Sequence, residues 1–422
     1  MAHVSGFSLF IDGESIKQMN KIERKNYILR LKLVSALIEN QGMTFAEIGN
    51  WLKISSPKTL ELVNGLMTDE IIVQDEKGVS IGGRKPIINK LKSGLFHVLC
   101  VEVERFGVKL TVIDNSNNKV CPTQFFPIDL SADQSALEPL LLIIERYLQG
   151  AGIPRSQLLG VGMSMPGLID IRHGHNLTYL YEGTDGQSLK AAIAHRLGKP
   201  VHLTNDVKNA AVAELKFGYA RGKENVLVIL MDWGIGLGII MDGKLRNGTN
   251  GFSGEIGHIP FVEDGDLCYC GKKGCLETVA SGIALARLAK EGIRSGQASL
   301  LTGLTGTNVD NIEPKLVIEA ANKGDQFAIN ILSSIGEKLG KGIATLVQLF
   351  NPELVILAGK IAEAKQYITV PIQQAINTYC MTPIRNQAEI RVSKLAGDAG
   401  AMGVANSFLE HYFRKHVKNV EH

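Results

Sequence analysis

Four residues near the middle of the chain have the types and the spacing of metal ligands. They are His258, Cys268, Cys270 and Cys275. Three thiolates and an imidazole complete a tetrahedral coordination sphere, which is typical of a structural zinc, because a catalytic zinc keeps one position open. The glycines between Cys270 and Cys275 allow the backbone to turn tightly enough for the sulfurs to face one point. The sequence therefore predicts a structural zinc as cofactor, and three unrelated buried thiols are the alternative.

The composition of the 422-residue chain is that of an ordinary globular protein. Its hydrophobic fraction is 45% and its charged fraction is 21%, and its length allows two or three domains. No apolar run is long enough to cross a bilayer, and the N-terminal residues lack the pattern of a signal peptide. Cys100, Cys121 and Cys380 are isolated, which together with the zinc cluster is typical of a reducing compartment. We therefore expect a cytoplasmic protein without membrane insertion.

Residues 1–92 have the pattern of a winged helix-turn-helix DNA-binding domain with an N-terminal arm. Apolar residues recur at helical spacing in three segments within residues 27–69. Thr44 and Glu47 form a capping box before the second helix, and Pro57 suits the first turn of the third helix. Three short apolar segments that follow predict strands around a wing: 71–73, 77–81 and 87–88.

DNA contacts are expected from the third helix and from the wing. The polar candidates for the major groove are Ser56, Lys58, Thr59 and Asn64. On the wing, Arg84 and Lys85 are candidates for the minor groove or for phosphates. The segment holds 13 Lys and Arg against 10 Asp and Glu, which accounts for the whole net charge of +3. A protein-docking module is the alternative, because the third helix has few cations and Glu61 repels phosphate.

The remainder of the chain has the pattern of a duplicated α/β body. An apolar run that begins at Val98 is followed by a turn and a returning strand that ends near Ile128. A second strand, turn and returning strand begin at Asn225. Helices and further strands follow each of these units. Duplicated halves predict two lobes with a cleft between them, where ligands bind at loops beyond the strand ends.

Six short stretches of this body occur together in one known family. They are 165–167 (Met-Pro-Gly), 204–206 (Thr-Asn-Asp), 254–258, 268–277, 351–353 (Asn-Pro-Glu) and 397–403. The body resembles the ROK family of repressors and sugar kinases, which has an actin-like, ribonuclease-H-like fold. The N-terminal segment makes the whole chain resemble the repressor branch of that family. The resemblance implies an α/β protein in which a winged helix-turn-helix precedes a two-lobed ROK domain over residues 93–422. The lobes are expected at roughly 93–210 plus the C-terminal helix, and at 211–400.

The resemblance also implies a sugar site. Asp206 matches the general-base position of the kinases, with Asn205 beside it, and Glu255, His258 and Glu277 match sugar or zinc residues. Carboxylates suit this role because they accept hydrogen bonds from hydroxyl groups strongly. For Asp206 taken alone, a helix cap before residues 207–210 is the alternative.

The nucleotide site of the kinases looks damaged. ROK kinases carry Asp, any residue, then Gly-Gly-Thr at the first strand turn, where glycine N–H groups cradle phosphates. The matching residues here are 102–106, Glu-Val-Glu-Arg-Phe. Glu104 places a negative charge near the phosphate, and two like charges about 4 Å apart at an effective dielectric near 20 cost roughly 4 kcal/mol. The second turn, at residues 232–236, keeps glycines that we interpret as turn formers.

These features predict a sugar-responsive DNA-binding transcriptional regulator, a repressor of carbohydrate-utilisation genes, and not an enzyme. The expected partners are a DNA operator, a sugar or sugar-phosphate effector and a second copy of the chain, in a homodimer or homotetramer. The resemblance adds a transporter subunit as a further partner in at least one branch of the family. The alternatives are an active hexose or N-acetylhexosamine kinase with an accessory domain, and a protein-interaction module.

Overall fold

The computed structural model describes residues 16, 18–75, 87–130, 136–179, 187–304, 308–395 and 399–421. Its α-helices are α1 (Lys21–Asn40), α2 (Phe45–Leu52), α3 (Ser56–Thr68), α4 (Leu137–Ala151), α5 (Leu189–Leu197), α6 (Asp206–Phe217), α7 (Glu277–Ala280), α8 (Gly282–Arg294), α9 (Leu301–Leu304), α10 (Pro314–Asn322), α11 (Gln326–Phe350), α12 (Gln366–Tyr379), α13 (Thr382–Arg385) and α14 (Ala399–Glu421). Within the described ranges, no helix combines the length and the apolar character needed to cross a membrane.

The β-strands are numbered in chain order, as the helices are. They are β1 (Ile72–Asp75), β2 (Ile88–Leu91), β3 (His97–Glu104), β4 (Gly107–Asp114), β5 (Lys119–Pro127), β6 (Leu158–Met165), β7 (Ile169–Asp170), β8 (His175–Asn176), β9 (Val201–Asn205), β10 (Val226–Met231), β11 (Ile235–Met241), β12 (Lys244–Leu245), β13 (Leu354–Ala358) and β14 (Glu389–Val392).

The chain divides into two compact units. The first contains the described residues of 1–167, 173–204 and 400–422, and the second contains those of 168–172 and 205–399. The first unit thus includes the helix-turn-helix segment as well as the first sheet. The domain boundaries predicted from the sequence, near residues 92 and 210, stay predictions.

Two five-stranded sheets, one in each unit, repeat a single topology. The first has the order β5-β4-β3-β6-β9, and the second has the order β12-β11-β10-β13-β14. In each sheet the strand that comes first in the sequence lies at the centre. β3 pairs antiparallel with β4 and parallel with β6, and β10 pairs antiparallel with β11 and parallel with β13. The repeated order confirms the duplicated α/β architecture predicted from the sequence.

The N-terminal helices are defined by local capping. Thr44 and Glu47 form the expected capping box at the start of α2, and proline lies in the first turn of α3. The first helix begins at Lys21, six residues before the predicted start, because Asn20 and Glu23 form another capping box there. The antiparallel pair β1–β2 follows α3, and the predicted wing tip with Arg84 and Lys85 lies outside the described residues.

The core of the first unit includes both the helix-turn-helix and the C-terminal helix. Buried residues of α1, α2 and α3 form one apolar cluster with buried residues of β3 and α14. Phe413 of α14 is fully buried, and its ring centroid lies 5.7 Å from that of Phe96. The Arg24 Nε of α1 donates to the Val420 carbonyl at 2.8 Å. The last helix therefore packs against the predicted DNA-binding segment as well as against the first sheet.

Two stacked histidines in the first unit predict sensitivity to acid. The rings of His202 and His411 have centroids 4.3 Å apart at 21°. Burial, and to a smaller extent the neighbouring cations, lower the pKa of both, that of His411 to about 4. The neighbouring cations are Lys190, Arg414 and Lys415. The pair is therefore neutral in the folded protein and must take up protons as the pH falls.

We expect the stability contributed by the neutral pair to be fully present above about pH 7, and the free energy of unfolding to fall by about 2–4 kcal/mol by pH 5, because each unfolded histidine titrates near 6.5. Chemical denaturation at pH 7.5 and pH 5 measures this difference. His411→Gln should reduce the difference, whereas His195→Gln, at an exposed histidine of α5, should leave it unchanged. An undiminished difference in His411→Gln would assign the acid sensitivity to other groups.

Candidate functional site

The four predicted metal ligands come together in the second unit. One ligand atom from each lies within 4.8 Å of the others. The Cys268 Sγ lies 3.5 Å from the His258 Nδ1, and the Cys270 and Cys275 Sγ atoms are 3.6 Å apart. Ligands around a tetrahedral zinc with bonds of about 2.0–2.3 Å are separated by about 3.3–3.8 Å. The donor set and its spacing therefore fit a tetrahedral metal ion.

The segment between His258 and Cys275 has almost no apolar core of its own. From residue 262 to residue 273, Cys268 is the one buried residue, and Leu267 and Tyr269 are largely exposed. Backbone hydrogen bonds such as Cys268 N–H to Lys272 O at 2.8 Å shape the turn. A loop without buried apolar side chains needs another source of stability, and a bound metal is the source that its donor atoms suit.

The second ring nitrogen of His258 is also engaged. Its Nε2 lies 3.0 Å from the Tyr269 hydroxyl oxygen, while Nδ1 faces the Cys268 sulfur. A hydrogen bond at the remote nitrogen is the usual way in which a metal-binding imidazole is oriented. Both ring nitrogens of His258 thus have partners within the loop, and its predicted direct contact with a sugar hydroxyl stays a prediction.

Asn205 and Asp206 lie where β9 ends and α6 begins. Asn205 is the N-cap of α6, and its Oδ1 accepts hydrogen bonds from the N–H groups of Val207 at 3.0 Å and Lys208 at 3.4 Å. Asp206 is the first helical residue, and its Oδ1 accepts from the Val207 N–H at 2.8 Å. The capping role considered for Asp206 therefore belongs to Asn205.

A buried lysine is coupled electrostatically to the two carboxylates of this site. Burial raises the pKa of Asp206 to about 6, the Val207 N–H opposes the rise, and Asp232 adds to it. Burial also raises the pKa of Glu255 to about 6, which Lys208 opposes and Asp206 reinforces. Burial lowers the pKa of Lys208 to about 8, against the attraction of Glu255 and Asp206. Near neutral pH the cluster therefore holds two carboxylates and one ammonium that influence one another electrostatically.

Glu277 supports the turn between β10 and β11. Its side chain is buried at 5% exposure, and its Oε2 accepts from the Ile235 N–H at 3.1 Å. A Cβ added at Gly234 would lie 2.6 Å from the same oxygen, so a side chain there would displace the Glu277 carboxylate. Gly234 therefore lies in the turn, as interpreted from the sequence, whereas Gly236 lies in β11 and pairs with Leu230.

Sequence reasoning missed Lys208 and Ser253 as parts of the site. The Lys208 Nζ donates to the carbonyl and to the hydroxyl oxygen of Ser253. Lysine is almost never fully buried unless it is paired. The available signal was a lysine two residues after Asp206, in the first turn of the same predicted helix.

The turn at residues 102–106, predicted from the sequence to match a kinase phosphate loop, is a tight hairpin. Glu104 of β3 pairs with Gly107 of β4, so that Arg105 and Phe106 form the connection. The Glu104 carboxylate makes an ion pair with Lys109 at 2.6 Å, and the Arg105 guanidinium lies 5.3 Å from the Phe106 ring centre. The side chains of this hairpin therefore make contacts with one another around the turn.

The candidate DNA-contacting residues of α3 differ in exposure. Ser56 and Asn64 are exposed, and Lys58 is partly exposed and pairs with Glu61 at 2.7 Å. Thr59 is buried at 1% exposure, and its hydroxyl donates to the Ser55 carbonyl at 3.1 Å. A buried side chain cannot reach a base edge, so the prediction that Thr59 contacts DNA was wrong.

The sequence of this chain is similar to those of known proteins. A family model described as the ROK family matches residues 98–410. The N-acetylglucosamine repressor of Escherichia coli O6:H1 is 28% identical over 365 residues, which are 86% of this chain and 88% of that protein. A glucokinase of Halalkalibacterium halodurans is 34% identical over 261 residues, 62% of this chain and 79% of that enzyme.

A crystal structure of a ROK family transcriptional regulator, a homolog of the Escherichia coli Mlc protein, shares the fold. It aligns with a TM-score of 0.74 over 94% of this chain and 100% of that chain, at 24% identity. The predicted fold class, with an N-terminal helix-turn-helix and an actin-like body, is thereby confirmed.

Proposed function

Because the chain belongs to the ROK family, we propose that it is a sugar-responsive DNA-binding transcriptional regulator and a repressor of carbohydrate-utilisation genes. The observation that carries the proposal is the presence of both modules in one chain. A helix-turn-helix with exposed Ser56 and Asn64 lies in the first unit, and the Asp206–Glu255 carboxylate pair lies in the second. The similarity to an N-acetylglucosamine repressor extends over 86% of the chain, which supports the same combination.

The proposed effector is a sugar or sugar phosphate. Asp206 and Glu255 accept hydrogen bonds from its hydroxyl groups, with Asn205 and Glu277 beside them. Charged acceptors give stronger hydrogen bonds than neutral ones. The effector changes DNA affinity only if it binds the two functional states with different affinity.

The proposed cofactor is a structural zinc held by His258, Cys268, Cys270 and Cys275. When bound, the zinc closes the loop by coordinating four side chains and takes no part in chemistry. His258 then fixes the start of the loop, three residues after Glu255. The metal thus helps to order the segment that carries one of the proposed sugar ligands.

We propose that the protein is not an enzyme and that the hairpin of residues 102–106 corresponds to the glycine phosphate loop of the kinases. The Glu104–Lys109 ion pair and the Arg105–Phe106 turn support this proposal. A ROK-type hexose or N-acetylhexosamine kinase is the second candidate, and the similarity to a glucokinase favours it. A coupled assay with ATP and a panel of sugars distinguishes the two, because sugar-dependent turnover would establish the kinase.

The sugar site is tested by Asp206→Asn. We expect a loss of about 1.5–3 kcal/mol in sugar binding, or about 10- to 150-fold in affinity, because the substitution removes a charged acceptor. Thermal-shift and calorimetric titration with N-acetylglucosamine, glucose and xylose measure it. Asp242→Asn, at an exposed turn of the same unit, is the matched control. Equal sugar affinity in Asp206→Asn and the wild type would remove Asp206 from the site.

The DNA-binding surface is tested by Asn64→Ala and Lys58→Ala. We expect Asn64→Ala to reduce the difference in binding free energy between the preferred DNA sequence and other sequences by about 1–3 kcal/mol. Lys58→Ala should lower the number of counterions released on DNA binding, which the salt dependence measures, by about one. Fluorescence anisotropy with the upstream region of the gene, at several salt concentrations, measures both. Binding that is absent or insensitive to salt in the wild type would favour the protein-interaction module instead.

The remaining proposed properties are a cytoplasmic location and self-association as a homodimer or homotetramer. A transporter subunit is a further proposed partner. Analytical ultracentrifugation of the zinc-loaded protein tests the oligomeric state.

A further inference from the structure

Lys208 is a buried lysine in the first turn of α6 whose ammonium joins two other segments of the second unit. Its side chain is 3% exposed. The Nζ donates to the Leu237 carbonyl at 3.1 Å, to the Ser253 carbonyl, and to the Ser253 hydroxyl oxygen at 3.2 Å. An ammonium group has three protons. The three acceptors therefore use its full capacity.

The segment that Lys208 holds leads directly into Glu255. Ser253 is followed by Gly254, whose carbonyl accepts from the Leu237 N–H at 3.1 Å. Gly254 has a φ of +82°, and a Cβ there would lie 2.1 Å from the Leu237 carbonyl oxygen. The backbone thus passes β11 too closely for any side chain. Both the glycine and the lysine fix this segment against β11.

A buried ammonium group is stable only where acceptors and opposite charges surround it. An unpaired buried charge costs several kcal/mol or more, so a buried lysine is retained where acceptors and opposite charges surround it. Here the carboxylates of Glu255 and Asp206 attract the ammonium. The lysine therefore links the helix that begins with Asp206 to the loop that carries Glu255.

We propose that Lys208 is the positioning residue of the sugar site, and that it holds Glu255 in place relative to Asp206 so that both carboxylates bind one sugar ring. Lys208 does not contact the sugar, since its three protons bind Leu237 and Ser253. Its action passes through the backbone of residues 253–255. The inference rests on the proposed function, because it assigns Glu255 to sugar binding.

A double-mutant cycle on the full chain tests the inference. Calorimetric titration with N-acetylglucosamine, glucose and xylose compares Lys208→Met, Glu255→Gln and the double variant. For the tightest of the three sugars, we expect Lys208→Met to weaken binding at least about ten-fold alone but less than about three-fold in the Glu255→Gln background. A residue with a general structural role would give equal losses in both backgrounds. Lys216→Met, in the last turn of α6, is the matched control and should bind like the wild type.

Equal losses in the two backgrounds, or no loss in Lys208→Met, would overturn the inference. Hydrogen exchange without sugar gives a separate measurement, in which Lys208→Met should speed exchange in residues 247–258 and leave β13 unchanged. If the wild type binds none of the three sugars, the proposed function fails for them, and the exchange alone decides the role of Lys208. Unchanged exchange in residues 247–258 then contradicts it. Lys208→Gln, which keeps an amide donor, replaces Lys208→Met in both measurements if the latter does not fold.

Discussion

Replacing Cys275 with serine is expected to abolish metal binding and to lower the free energy of unfolding by about 3 kcal/mol or more. A structural zinc supplies about 10 kcal/mol or more to a small peptide that folds around it. In a unit that has its own apolar core, the zinc stabilises only the loop, so its contribution to the free energy of unfolding is smaller. The expected loss is still large, because Cys268 is the one buried residue between 262 and 273 and no apolar core replaces the metal.

The measurements are metal content per chain and urea unfolding, with sugar affinity as the functional result. Sugar affinity should fall as well, because His258 anchors the loop three residues after Glu255. Cys380→Ser is the matched control, since this cysteine is buried in the same unit but lies outside the cluster. A purified wild type without bound metal, or a Cys275→Ser variant that keeps one zinc per chain, would contradict the zinc assignment.

Features of the protein that depend on short stretches of sequence were predictable. The capping box of Thr44 and Glu47 and the proline near the start of α3 involve residues within one helical turn, and the structure has both. The strand, turn and returning strand that begin at Val98 and again at Asn225 are also local patterns, and they predicted the two related sheets. The metal ligands come from an 18-residue segment whose spacing alone limits how far apart they can lie.

Features that depend on distant contacts were not predictable from pattern. Thr59 has the polar character of a DNA-contacting residue, but its hydroxyl bonds to Ser55 and faces Gly49, where an added Cβ would lie 3.1 Å away. Lys208 looks like a surface lysine, yet its acceptors come from segments 29 and 45 residues further along the chain. Burial of such polar groups follows from packing between elements, which periodicity does not describe.

The C-terminal helix gives the clearest case of such long-range packing. The sequence assigned it to the first lobe of the ROK domain. In the structure, Lys32 of α1 pairs with Glu421 at 2.6 Å, and the Tyr27 hydroxyl lies 3.1 Å from the His416 Nε2. Residues almost 400 positions apart therefore share one core, and the stability of the predicted DNA-binding segment depends on the end of the chain.

Phe413→Ala is expected to destabilise the first unit by about 3–5 kcal/mol, the usual cost of removing a buried phenylalanine ring. The Phe413 side chain is fully buried, and it contacts a second ring at Phe96. The same apolar cluster contains buried residues of α1 and α3, such as Leu31 and Val63. Loss of the ring should therefore weaken the packing of the helix-turn-helix as well as that of α14.

Urea unfolding followed by circular dichroism measures the stability, and anisotropy with operator DNA measures the functional effect. Phe125→Ala is the matched control, because Phe125 lies on β5 in the same unit and is 57% exposed, so its loss should cost less than about 1 kcal/mol. We expect Phe413→Ala to reduce DNA affinity at temperatures where the control variant binds normally. Removing a buried ring from a shared core should destabilise every helix that packs against that core. If Phe413→Ala and Phe125→Ala unfold at the same urea concentration and bind DNA equally, α14 does not stabilise the DNA-binding segment.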